Sequence, residues 1–144
     1  MNNVMSKDFL KLQKISYEIG SNIDLIQGAG GNTSLKENGV LWVKASGCWL
    51  SDAIDNDIFV PIDNKEAVES IESGDIHNIA VIDSNSRDKL SLYPSIETAL
   101  HALMPHKFVL HVHAVNTISI SVLSDGQRLV GKLLQDINWV GFLM

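Results

Sequence analysis

The sequence predicts one α/β domain built around a mainly antiparallel sheet, and three observations predict it. Strand-like runs flank Asn38-Gly39, a strong signal for a two-residue hairpin. Segments of helical period stand between the strand-like runs, without repeats, linkers or low-complexity stretches. A continuous apolar run, Phe108 to Val115, reads as a buried strand that carries two histidines.

The elements follow in order. Residues 6–19 place Phe9, Leu10, Leu12, Ile15 and Ile19 at helical spacing, with Ser6 as N-cap and Gly20 as stop. After the glycine-rich stretch 28–34, Thr33–Lys36 and Val40–Ala45 form the hairpin. Ile58–Ile62 is a short strand, and Pro61 puts it near an edge or an end. Asn64–Glu72 reads as a helix and Ile79–Ile82 as a strand inside an otherwise polar, irregular region. Tyr93-Pro94-Ser95 opens a helix that Ser95 caps, that Ile96, Ala99, Leu100 and Leu103 stripe with apolar surface, and that Pro105 ends. The histidine strand follows, then helices over Asn116–Leu123 and Gln127–Leu134, the first closed by Asp125-Gly126. Trp42, Trp49 and Trp139 are assigned to the core.

Composition narrows the function classes. The chain has 144 residues, enough for one domain with a real core, and its 45% hydrophobic and 19% charged content is that of a globular protein. A net charge of −6 without a basic stripe argues against nucleic acid as a partner. No apolar run reaches the ~18 residues that span a bilayer, so no membrane partner is expected. The N-terminus lacks the apolar core of a signal peptide, and one cysteine, Cys48, allows no internal disulfide. Both point to the cytoplasm. Cys48 itself reads as a small, partly buried hydrophobe.

The chemistry begins at His111-Val112-His113. Residues two apart on a strand face the same way, so both imidazoles share one face. Neutral imidazole is a standard ligand for transition metals, and two lone histidines in an apolar strand would each cost desolvation. By itself the pair fits two readings equally well: a metal site, or one histidine in the core and the other at a wet groove. Glu97 lies about fourteen residues upstream, reached through one short helix and a proline turn, so a shared site is feasible. A carboxylate there also suits a helix N-terminus without any chemistry. His101 falls on the same helical face at i+4 and is a weaker metal-ligand candidate. His106, in the turn, is read as structural or exposed, and His77 as solvated in a polar loop.

The run Gly28-Ala29-Gly30-Gly31-Asn32-Thr33-Ser34 is a poor dinucleotide fingerprint, because Thr33 takes the last glycine position and a hairpin follows instead of a helix. It fits either an anion cradle, completed by Ser46-Gly47, or a tight turn that needs positive φ.

Four ordered motifs, GAGGNTS, VKASG, PSIETALHALMPH and VLHVH, resemble the class II aldolase/adducin family over roughly residues 8–125. The pattern is most similar to the aldolase-like domain of rhamnose-utilisation proteins. The resemblance implies a three-layer α/β/α sandwich that assembles as a homotetramer. It implies a divalent metal, most often Zn2+, with His111 and His113 as ligands and Glu97 as the catalytic acid/base. It implies that Gly31, Asn32, Ser46, Gly47 and Ser95 bind a substrate phosphate. Two departures stand out. Sugar-phosphate aldolases of the family place a second serine directly before the glutamate, where this chain has Ile96. The family's third histidine follows a later Tyr-x-x-Pro-Gly-like segment, which this sequence does not reach.

The implied function is a metal-dependent aldehyde-lyase that cleaves a ketose, such as a ketose 1-phosphate, by retro-aldol chemistry. Epimerase, dehydratase and decarboxylase reactions share the same enediolate. The rivals are a non-catalytic assembly module of the adducin kind and a truncated, inactive aldolase domain. The expectation for residues 1–144 is a single domain lacking its C-terminal part, because the chain ends on the apolar Trp139–Met144 stretch and offers no third histidine.

Overall fold

Asn38 and Gly39 both take positive φ, 52° and 81°, the conformation of a two-residue turn whose twist matches that of its strands. They join β1 (Asn32–Glu37) to β2 (Val40–Lys44). The structure, a computed structural model, describes residues 5–75, 79, 81–82 and 92–133. Further elements are α1 (Lys7–Gly20), β3 (Phe59–Asp63), α2 (Asn64–Glu72), α3 (Thr98–Leu103), β4 (Phe108–His111), α4 (Val115–Ser121) and α5 (Gly126–Leu133), with a short 3-10 turn at Leu50–Asp52. The strands form one antiparallel sheet in the order β3-β2-β1-β4.

Alternation along the strands divides the core in two. On one face Leu35 and Phe59 meet Phe9 and Leu12 of α1, together with Ile26, Leu50 and Ile58. On the other, Leu41, Val43, Val60 and Ile62 meet Ala67 of α2 and Ala102 of α3. This is an α/β/α arrangement, and it fixes the register, since a one-residue slip would exchange the two faces. Each fully buried leucine stabilises the fold by roughly 1.5–3 kcal/mol relative to exposure. Ser6 caps α1 by accepting from Phe9 N at 3.0 Å, and Asp63 caps α2 by accepting from Lys65 N and Glu66 N. Pro61 sits in the edge strand β3, where a missing N–H costs no central ladder bond.

Several sequence expectations are corrected. The predicted apolar stripe of α3 faces outward: Ile96 is 97% exposed, and Leu100 and Leu103 are exposed as well. The buried side of this helix is Thr98, His101 and Ala102. The reason lies on β1, whose facing residues are polar and draw the polar edge of the helix inward. Lys36 Nζ donates to Ala102 O at 2.8 Å and to Met104 O, occupying carbonyls that the last turn leaves unpaired. Ser95 precedes α3 and its Oγ accepts from Glu97 N at 3.0 Å, so Glu97 itself takes the N-cap position. The histidine strand ends at His111, and α4 starts at Val115. Gly126 opens α5 instead of closing α4. Trp42 packs edge-on against Phe9 as expected of a core residue, but Trp49 is exposed and lines an open groove with Gly47, Cys48 and Asp52. Of the expected strand Ile79–Ile82, Val81 makes an isolated bridge to Ile62. His77, Trp139 and the terminal apolar stretch lie outside the described residues. No helix among the described residues is long and apolar enough to cross a membrane.

Candidate metal centre

Asn32 and His111 are opposed in the β1–β4 ladder, so their side chains share the face that carries α3. His113 continues the alternation just past the strand, where its N–H donates to Leu25 O at 2.8 Å. The two imidazole rings stand 5.0 Å apart at 66°. The segment before α3 brings Glu97 onto the same spot, with Oε1 2.9 Å from His111 Nδ1. Ligand atoms of Glu97, His111 and His113 all fall within 4.8 Å of one another. His101 is not in this group, so the third donor among the described residues is a carboxylate. His106 is exposed, as the sequence suggests.

Two polar atoms of this cluster are buried without a hydrogen-bond partner. Glu97 Oε2 has no hydrogen-bond partner, and His111 Nδ1 lies near Glu97 without the alignment of a hydrogen bond. Buried polar atoms are normally satisfied, so donors left converging on one point fit a cation between them. Two imidazoles and one carboxylate make a donor set that suits zinc. The donors present therefore fit the divalent metal that the sequence implies.

The glycine loop forms the wall of this centre. Gly31 has φ +66°, and a Cβ there would lie 2.8 Å from His111 O; one on Gly30 would lie 2.9 Å from His113 Nδ1. The loop makes the tight turn with positive φ that one reading expected, and it lets backbone come up against both histidines. Asn32 is buried, and its Nδ2 donates to Ser95 Oγ at 2.8 Å and to Lys44 O at 3.3 Å. Ser46 N donates to Tyr93 O, and Ala45 bridges Pro94, so the Ser46-Gly47 turn lies alongside the segment that ends in Ser95. Gly31, Asn32, Ser46, Gly47 and Ser95, far apart in sequence, therefore gather at one end of the sheet beside the histidines.

Lys44, which the sequence reading left aside, and His101, its weaker ligand candidate, are both built into the surroundings of the site. Lys44 is 2% exposed, and its Nζ donates to Ala29 O at 3.1 Å, Ala45 O at 3.4 Å and Cys48 O at 2.8 Å. It ties the glycine loop to the Ser46-Gly47 turn. Burial pushes its pKa down, against the attraction of Cys48 and Glu97. The signal available in the sequence was a charged residue at an inward position of an apolar strand, Val40-Leu41-Trp42-Val43-Lys44. The second residue is His101, fully buried, with Nδ1 2.7 Å from Ser34 Oγ. Burial holds its pKa down at about 4 even though Glu97 favours the charged form, so the ring is neutral near pH 7.

The sequence matches the profile of the Class II Aldolase and Adducin N-terminal domain over residues 11–140. It is 32% identical over 142 residues to YuxG of Bacillus subtilis, named an uncharacterized oxidoreductase; the match covers 87% of this chain and 20% of that protein. The chain thus spans about a fifth of the length of that relative. The fold matches the N-terminal class II aldolase domain of a conserved protein from Thermoplasma acidophilum with a TM-score of 0.73 and 28% identity, covering 99% of this chain and 76% of the other. The chain belongs to the class II aldolase and adducin family.

Proposed function

We propose that this domain carries the reaction centre of a zinc-dependent lyase that cleaves a hydroxy-ketone, a ketose or ketose 1-phosphate, between two carbons. The observation that supports this most is the convergence of Glu97, His111 and His113, with orphaned buried atoms on both the acid and one imidazole. When bound, the divalent cation supplies Lewis acidity that stabilises the negative charge developing on the substrate's oxygens.

The chain's own groups do the rest. His111 and His113 present their imidazoles from a strand end that the sheet and the Leu25 carbonyl hold in place. Glu97 stands beside them with Oε2 unpartnered, placed to hold the proton that leaves or returns to the enediolate carbon. Gly31, Asn32, Ser46, Gly47 and Ser95 hold the far, anionic end of the substrate through backbone N–H groups and hydroxyls. The exposed Ile96 offers no hydroxyl, so this cradle relies on Ser46 and Ser95. Epimerase, dehydratase or decarboxylase chemistry would use the same groups on the same enediolate. The reading includes a cytoplasmic homotetramer. A second reading, an assembly module of the adducin kind, is favoured by the outward apolar face of α3, Ile96, Leu100 and Leu103.

The test is zinc binding by the purified protein, measured by chelator competition, followed by an assay on a panel of ketose 1-phosphates with added zinc. One zinc per chain, lost in the His111→Ala/His113→Ala protein with its circular dichroism unchanged, supports the metal centre, and zinc-dependent cleavage supports the lyase. A parent protein that binds no zinc overturns the reading.

A further inference from the structure

α3 carries Glu97 at its N-cap, yet its apolar residues face solvent and its buried side is mostly polar. Something other than an apolar stripe must fix its position. Alternate residues of β1, which share one face of the sheet, each hold a different level of this segment. Asn32 Nδ2 donates to Ser95 Oγ, two residues before Glu97, at 2.8 Å. Ser34 Oγ meets His101 Nδ1 in the middle of the helix at 2.7 Å. Lys36 Nζ binds Ala102 O at 2.8 Å and Met104 O at the helix end. The same strand is laddered to β4, with Asn32 opposite His111 and Ser34 opposite Val109. β1 therefore ties the segment that bears the carboxylate directly to the strand that bears the first imidazole.

We propose that Ser34, Lys36 and His101 are positioning residues, a polar seam that sets Glu97 over His111 and so determines how well the three donors act together. The inference rests on the metal reading above and deepens it. None of the three belongs to the donor group; each acts through the placement of α3. His101 acts as a neutral ring, bonded through Nδ1 to Ser34, with Nε2 buried and unpartnered.

A double-mutant cycle separates positioning from general stability. Zinc affinity is measured by chelator competition for the parent, Ser34→Ala, Glu97→Gln and the double variant. Partners that orient metal ligands typically contribute ~10–100-fold in affinity. Ser34→Ala is expected to weaken zinc about tenfold when Glu97 is present and less than about twofold when it is Gln. Equal losses in both backgrounds, or no loss in either, overturn the seam. Lys36→Met, which loosens the far end of the same helix and keeps the aliphatic stem, must give the same pattern and stands alone if Ser34→Ala does not fold. The His111 ring signals of the metal-free protein provide a readout that needs no zinc. Ser34→Ala must shift them in the parent and leave them unmoved in the Glu97→Gln background. That response in a protein that binds no zinc would uphold the seam and reject the metal reading. Zinc binding with an additive cycle would do the reverse.

Discussion

α1 and α3 lie on opposite faces of the same strand and are held by opposite kinds of force. α1 lays Phe9 and Leu12 onto Leu35, and Phe9 meets Trp42 and Phe59 edge-on with centroids 5.0 and 5.6 Å away. A buried polar contact to β1, Ser16 to Thr33 at 2.7 Å, is an accessory to that packing. α3 puts only Ala102 into an apolar cluster and is otherwise held by the β1 side chains Ser34 and Lys36, with Asn32 holding the Ser95 segment before it. A net hydrogen bond contributes about 0.5–1.5 kcal/mol, and a buried leucine about 1.5–3. The α1 side is therefore the stronger attachment, while the α3 side is the more directional one. Hydrophobic burial tolerates small shifts; a hydrogen bond loses strength steeply with angle. Glu97 stands on the directional side.

The largest effect should come from the α3 side and appear in chemistry alone. Glu97→Gln, assayed with saturating zinc on whichever ketose phosphate is turned over, is expected to lower kcat ~10²–10⁴-fold with little change in melting temperature. Near-parental turnover would reduce Glu97 to a charge at a helix start and erase the functional half of the comparison.

Leu12→Ala is the matching cut on the α1 side. Removing a fully buried leucine should cost about 2–5 kcal/mol in urea unfolding, while zinc affinity of the folded fraction stays at the parental value. A parallel drop in zinc affinity would mean that the two faces are not independent.

The smallest expected effect is a pH dependence on the polar side. The His101 imidazole titrates near 6.5 when unfolded and at about 4 when folded. Below pH 6.5 the unfolded chain takes up a proton that the folded chain refuses, so stability falls as pH drops from about 6.5 to about 4. Each pKa unit corresponds to about 1.4 kcal/mol, which makes the loss about 2 kcal/mol at pH 5. Urea titrations at pH 7 and pH 5 measure it, and His101→Gln should remove this part of the slope. An unchanged slope in that variant would assign the acid sensitivity to other groups.

The α1 side was legible in the sequence because burial leaves a period. Phe9, Leu12 and Ile19 announce a helix, and Ser6 announces its start. Asn38-Gly39 likewise announced a hairpin, because few residue pairs take positive φ twice. The same reasoning misplaced the apolar residues of α3. Ile96, Leu100 and Leu103 have helical spacing, but spacing states only that they share a face, not which way that face turns. His101, the weaker ligand candidate, lies with Thr98 on the buried side instead. A lone lysine in a strand usually reaches solvent, whereas three backbone carbonyls enclose Lys44.

The site was legible as a set of residue types and only partly as a place. The same-face relation of His111 and His113 follows from the two-residue period of a strand, and the family motifs name Glu97 as their partner. Nothing local states that the carboxylate comes 2.9 Å from an imidazole fourteen residues on, or that His101, on the same helix, stays outside the group. By itself the sequence determined what period and turn chemistry encode: the hairpin, the helices, the pair of imidazoles on one face and the glycines that must lie close to something. The tertiary structure decided which way α3 faces, which third donor joins the histidines and what holds it there. Those outcomes depend on contacts between β1 and residues more than sixty positions away, such as Ser34 with His101 and Lys36 with Ala102. Contacts of that range have no period along the chain, because they are set by how the sheet and its two layers pack.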